Sequence, residues 1–150
     1  VPEINEHFLF HGTKPERVEA IIAGGLDFRM SGQGMFGRGI YLAENSTKAD
    51  QYTDWIWQRG KEEGRNDTKT MFLVRVTLGR LFVGPDDGTA RDFTRPPCTT
   101  HGCARFDCNH VERFDSVIGG TSKHKMFREY VIYDRFQAYP EYVITYSRIH

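Results

Sequence analysis

Thiols and imidazoles crowd one short stretch of this chain. Cys98, His101 and Cys103 are followed by Cys108 and His110, which puts five soft donors within thirteen residues. Zinc takes four such donors in a tetrahedron, and a closed four-ligand site leaves no position for water. An ion held here would therefore pin a loop and take no part in catalysis. The spacing C-x2-H-x-C-x4-C is no standard finger. The expected set is Cys98, His101, Cys103 and Cys108, with His110 as the substitute and free thiols in an exposed loop as the alternative. These three cysteines are all the chain has. An odd number in one cluster suits metal ligation or free thiols better than a disulfide framework, and it fits a reducing, intracellular setting, nuclear or cytoplasmic.

Gly32-Gln33-Gly34-Met35-Phe36-Gly37 matches the pattern G-x-G-x-x-G. In a dinucleotide-binding fold that pattern follows a strand and opens a helix. Here it precedes a strand-like run, so a turn in a flexible loop is the better reading. Four more residues have side chains suited to chemistry: His11 at the end of an apolar run, Tyr41, Tyr52, and Glu129 at the head of another apolar run. Taken singly, each also has an ordinary structural reading, as a hydrogen-bonding histidine, half-buried aromatics and a solvated strand end.

The elements that must position these residues follow from periodicity. Residues 8–10 predict a strand, and residues 14–23 predict a helix with Val18, Ile21 and Ile22 on one face, stopped by Gly24-Gly25. Residues 39–43 read as a strand, after which Ser46 caps a helix running to about Gln58 that buries Tyr52, Ile56 and Trp55. Residues 71–78 are nearly continuous in apolar side chains and predict a central strand. The stretch 79–116 shows no regular pattern, and a connection that long is either functional or held by something extra. Residues 129–133 and 142–146 predict two further strands, joined by a turn-rich segment containing Pro140. Short helices early and strands late, without regular βαβ alternation, predict an α+β domain on an antiparallel sheet.

Composition narrows the function classes. The 150 residues carry 20 basic and 20 acidic side chains, which predicts one domain with no net charge. Zero net charge argues against direct nucleic-acid binding as the main task, because gripping phosphates needs uncompensated Lys and Arg. No run approaches the roughly 18 to 20 apolar residues of a membrane span, so neither signal peptide nor anchor is read. A strand so soon after Val1 reads as a domain excised from something longer.

Several spaced blocks together carry a resemblance: His11-Gly12-Thr13, the run Gly34-Met35-Phe36-Gly37 with Gly39-Ile40-Tyr41, then Ala43-Glu44-Asn45-Ser46, Val76-Thr77-Leu78-Gly79, Glu129 within residues 128–134, and Gln137-Ala138-Tyr139-Pro140-Glu141-Tyr142. In this order, from Phe8 to Tyr146, the chain resembles the catalytic domain of the poly(ADP-ribose) polymerase family, with its His-Tyr-Glu triad, and within it most resembles tankyrases. Residues 80–115 are the least similar part. The resemblance implies an α+β ADP-ribosyltransferase fold spanning residues 1–150 without the N-terminal regulatory helical domain, hence constitutive activity. It implies NAD as co-substrate, release of nicotinamide, and transfer of ADP-ribose, singly or as polymer, to protein acceptors or to the enzyme itself.

By position, the resemblance implies that His11 hydrogen-bonds a ribose hydroxyl, the Gly12 backbone holds the carboxamide, Tyr41 lines the nicotinamide pocket, Tyr52 stacks on the ring, Lys48 sits beside it, and Glu129 is the catalytic glutamate. Cationic nicotinamide is attracted to a tyrosine face, and its departure leaves an oxocarbenium-like ribose that a carboxylate stabilises. Ala49 stands where the family commonly has a serine that bonds the carboxamide, a loss worth about 0.5 to 1.5 kcal/mol. Arg29 and Arg38 are the nearest candidates for pyrophosphate. Tankyrases carry a Cys/His zinc site before the strand matching 71–78, where this chain has no cysteine, so the cluster at 98–110 is not inherited by position. An NAD- or ADP-ribose-binding scaffold, an NAD glycohydrolase and a zinc-organised interaction module are the competing readings.

Overall fold

The computed structural model describes residues 4–27, 29, 34–54, 68–104, 109–120 and 128–149. Among these residues seven strands form one sheet: β1 (Glu6–Gly12), β2 (Ile40–Ala43), β3 (Lys69–Thr77), β4 (Leu81–Val83), β5 (Ser116–Gly119), β6 (Glu129–Ile132) and β7 (Ala138–Tyr146). Their order is β4-β5-β6-β2-β1-β3-β7. Neighbours run antiparallel except β4 and β5, which are parallel. Among the described residues, two short helices, α1 (Val18–Gly24) and α2 (Ser46–Asp50), join this sheet in an α+β architecture.

The apolar alternation of the strands divides the core between two faces. Leu9, Ile40, Leu42, Phe72, Val74, Val76 and Ile132 pack with Ile21 of α1 on one face. On the other, Phe36, Val117, Val131 and Tyr133 form one group, and Ala43, Ala49 and Met71 form a second. The period of two assigns these sides: Leu9 pairs with Val74, whereas Phe10 pairs with Leu73 and Ala43.

Several predicted elements are redrawn. The strand at 71–78 is interior, flanked by β1 and β7, but lies second from the sheet edge. Residues 79–116 contain β4 and a short 3₁₀ turn at Thr89–Asp92, so that stretch is partly regular. Pro140 lies inside β7, opposite Val74, where the register shifts. An edge strand with a bulge tolerates the missing N–H that a central strand would not. The first helix begins with a 3₁₀ turn at Pro15–Arg17, and Ile22 is exposed while Ile21 is buried. The second helix is capped by Asn45, whose Oδ1 accepts the Thr47 N–H at 2.8 Å, and not by Ser46. It ends at Asp50, so Tyr52 sits just past it; Trp55 and Ile56 lie outside the described residues.

Candidate active site

Three adjacent strands bring the distant parts of the sequence together. Phe10 of β1 pairs with Ala43 of β2, and Ala43 pairs with Glu129 of β6. Side chains directly opposite one another share a face, so Tyr41, Ala43 and Glu129 project to the same side of the sheet. His11 follows Phe10 and so projects to the opposite side, where it lines a small pocket with Thr13, Arg17, Ile21, Leu26, Asp27 and Ile40. The site therefore wraps around the strand ends instead of occupying one face.

His11 and Tyr41 are joined across that edge. His11 Nδ1 lies 2.8 Å from the Tyr41 carbonyl oxygen, so Nδ1 carries the proton and donates it. Burial pushes the imidazole pKa down, the Tyr41 carbonyl opposes this, and Lys14 and Arg17 add to the lowering. The neutral ring keeps Nε2 as an acceptor only, which fits a donating hydroxyl.

The Tyr41 hydroxyl is committed to its own loop. It donates to the Gly37 carbonyl at 2.6 Å and accepts the Phe36 N–H at 3.1 Å. Burial first, then Glu129, raises its pKa, while the Phe36 and Gly34 backbone bonds act in the opposite sense. The hydroxyl stays protonated and the tight turn Gly34–Gly37, closed by paired backbone bonds of 3.1 Å, is anchored to β2. A strand, not a helix, follows this turn, which disposes of the dinucleotide motif; Gly32 and Gln33 lie outside the described residues.

Glu129 is held by α2 and the turn beyond it. The Tyr52 hydroxyl donates to Glu129 Oε1. Lys48 Nζ stands 3.9 Å from the same oxygen and 5.8 Å from the centre of the Tyr52 ring. Lys14 in turn donates to the Tyr52 carbonyl. Gly12 makes this packing possible, because a methyl group there would lie 1.7 Å from the Ala49 carbonyl oxygen. Ala49 itself is buried against Ala43 and Met71.

The two arginines expected near pyrophosphate fare differently. Arg29 forks onto the Asp27 carboxylate, with Nη2 2.6 Å from Oδ2, and holds that carboxyl down to about 2. Arg38 is exposed and contributes its backbone N–H to the Phe93 carbonyl at 3.0 Å. Arg17, which the sequence reading did not single out, lines the His11 pocket. Its only signal was its place one turn beyond His11-Gly12-Thr13.

In the cysteine cluster, Cys98 Sγ and Cys103 Sγ are 3.3 Å apart, and Cys103 Sγ is 3.0 Å from His110 Nδ1. The donor atoms of Cys98, Cys103 and His110 all lie within 4.8 Å of one another. His101, expected ahead of His110, is outside this group; its ring stacks on His110 with centroids 4.1 Å apart. Cys108 lies outside the described residues.

The sequence that builds this arrangement is similar to known proteins. The poly(ADP-ribose) polymerase catalytic domain family matches residues 2–148. The chain belongs to that family. It is similar to protein mono-ADP-ribosyltransferase PARP11 of Mus musculus, with 31% identity over 97% of this chain and 44% of that protein. It is likewise 31% identical to the Homo sapiens mono-ADP-ribosyltransferase PARP12, over 96% of this chain and 17% of that protein. The chain thus spans less than half the length of these curated relatives. Both relatives are named as mono-ADP-ribosyltransferases, which corrects the expected leaning toward tankyrases within the poly(ADP-ribose) polymerase family. Among the described residues, no helix is long and apolar enough to cross a membrane.

Proposed function

We propose that this domain is an NAD-dependent ADP-ribosyltransferase that releases nicotinamide and attaches single ADP-ribose units to protein acceptors. The observation that carries the reading is the Tyr52–Glu129–Lys48 contact set, reached from a strand edge where His11 is bonded to the Tyr41 backbone. NAD crosses that edge in the proposed pose. Its nicotinamide stacks on Tyr52 beside Tyr41, with the carboxamide at the Gly12 backbone, and a ribose hydroxyl donates to His11 Nε2.

The chemistry follows from charge. Breaking the nicotinamide glycosidic bond leaves positive charge on the ribose, and a carboxylate fixed nearby stabilises it most where water is excluded. Glu129 supplies that carboxylate, while Tyr52 and Lys48 fix its orientation. The same carboxylate can take the acceptor's proton, a contribution of roughly 10²- to 10⁴-fold. Single-unit transfer is supported by the relatives' names; chain elongation is a second reading, favoured by a glutamate in the third position of the triad.

Adenylate-labelled NAD tests this. Wild-type protein should release nicotinamide and label protein as discrete bands, and Glu129→Gln should lose roughly a hundredfold or more of both. A high-molecular-weight smear would replace single-unit transfer with elongation. Nicotinamide release without labelled protein would make the domain a glycohydrolase, and binding without turnover would make it a scaffold.

A further inference from the structure

Two described stretches that follow the 3₁₀ turn, 93–104 and 109–114, are tied together by backbone bonds. Backbone bonds run from Cys98 N–H to the Cys103 carbonyl at 2.9 Å, from Thr99 N–H to the Glu112 carbonyl at 3.0 Å, from Phe114 N–H to the Pro97 carbonyl at 3.0 Å and from Thr94 N–H to the Ala104 carbonyl at 2.9 Å. These bonds bring the two stretches together and place Cys98, Cys103 and His110, separated in sequence, around one point. The His101 backbone N–H points at Cys98 Sγ from 3.1 Å, which satisfies the sulfur from outside the cluster.

A tetrahedral zinc with bonds of about 2.3 Å to sulfur and about 2.0 Å to nitrogen separates two sulfurs by about 3.8 Å and a sulfur from a nitrogen by about 3.5 Å. The separations seen here, 3.3 and 3.0 Å, are each about half an ångström tighter. Small side-chain rotations would open them to that size. Two sulfurs and an imidazole select a soft or borderline ion over calcium or magnesium.

The first of these stretches touches the active-site loop. Phe93 packs against the group formed by Phe36, Val131 and Tyr133, beside Tyr41. Its carbonyl accepts the Arg38 N–H at 3.0 Å and would lie 2.0 Å from a Cβ on Gly37, whose φ is +83°. Gly37 and Phe36 are the residues that hold the Tyr41 hydroxyl.

We propose that Cys98, Cys103 and His110 bind a structural zinc ion that braces the Gly34–Arg38 turn through Phe93, and so positions Tyr41. A fourth protein side chain closes the tetrahedron, which leaves no position for water, so the ion takes no part in bond making. The three donors are positioning residues, remote from the reacting atoms.

The test uses the whole chain purified under reducing conditions. Elemental analysis after zinc reconstitution should give one zinc per chain, and cobalt substitution should give thiolate charge-transfer absorption. Cys98→Ser and Cys103→Ser should abolish both, and His110→Ala should weaken binding at least tenfold. Chelation of the wild-type protein should lower its thermal midpoint by several degrees and speed amide exchange at Arg38, which does not depend on turnover. Chelation serves as the alternative if the serine variants fail to fold. Absence of stoichiometric zinc, or a Cys98–Cys103 disulfide under the same conditions, would overturn the site; bound zinc whose removal leaves Arg38 exchange unchanged would overturn the brace.

Discussion

Tyr52 carries two separable contributions, a ring face for nicotinamide and a hydroxyl that donates to Glu129. Tyr52→Phe keeps the first and removes the second. A hydrogen bond to a charged group is worth about 1.5 to 3 kcal/mol, so kcat should fall roughly 10- to 100-fold while KM for NAD changes little. Steady-state kinetics on nicotinamide release checks this; a rise in KM at constant kcat would mean the hydroxyl serves binding instead. His11 shows how a contact narrows a role. Its chemical type allows one donated and one accepted bond, and the Tyr41 carbonyl uses the donor.

At the level of elements, the short helix α2 and the turn after it are held from beneath by charge. Asp54 is buried, with Lys69 Nζ 2.6 Å from Oδ1 and Arg148 Nη1 2.5 Å from Oδ2. Arg148 also reaches Asp50 at 3.0 Å, so the end of α2, the start of β3 and the chain beyond β7 converge on one network. Removing one partner of a buried pair strands the other, at a cost of about 3 to 5 kcal/mol. Asp54→Asn should therefore lower the urea midpoint markedly and also raise KM for NAD, because Tyr52 is two residues away. Equal destabilisation from a surface substitution such as Glu19→Gln would refute the special role of this network.

The whole molecule links folding to pH through His11. Its folded pKa lies below the ordinary value of 6.5, chiefly because burial disfavours the cation. Below pH 6.5 the unfolded chain binds a proton that the folded chain does not, so stability falls with pH by up to about 1.4 kcal/mol per unit until the folded pKa is reached. Asp54 acts in a lower window: burial raises its pKa, but Lys69 and Arg148 lower it more, so its contribution is present above the ordinary 3.8 and lost as pH falls through the folded value. Urea unfolding between pH 7.5 and 5.5 should show the first slope in the wild type and its loss in His11→Gln. An identical slope in both proteins would place the linked proton elsewhere.

Much of this was legible in the order of residues. Apolar runs located β1, β2, β3 and β6, and the spaced blocks around His11, Tyr41 and Glu129 marked the family and the candidate site. Local chemistry was enough there, because strands declare themselves by side-chain type and the site residues sit at strand ends. The short parallel pair of β4 and β5, Pro140 inside an edge strand, and the early end of α2 were not legible, since pairing partners and bulges are set by contacts between distant residues. Tertiary structure alone decided that His11 lies on the opposite side of the sheet from Glu129, that the Tyr41 hydroxyl is occupied by its own loop, and that His110 rather than His101 meets the two cysteines. A sequence records which donors are available; only the packed chain fixes which lone pair or proton each one still has to offer.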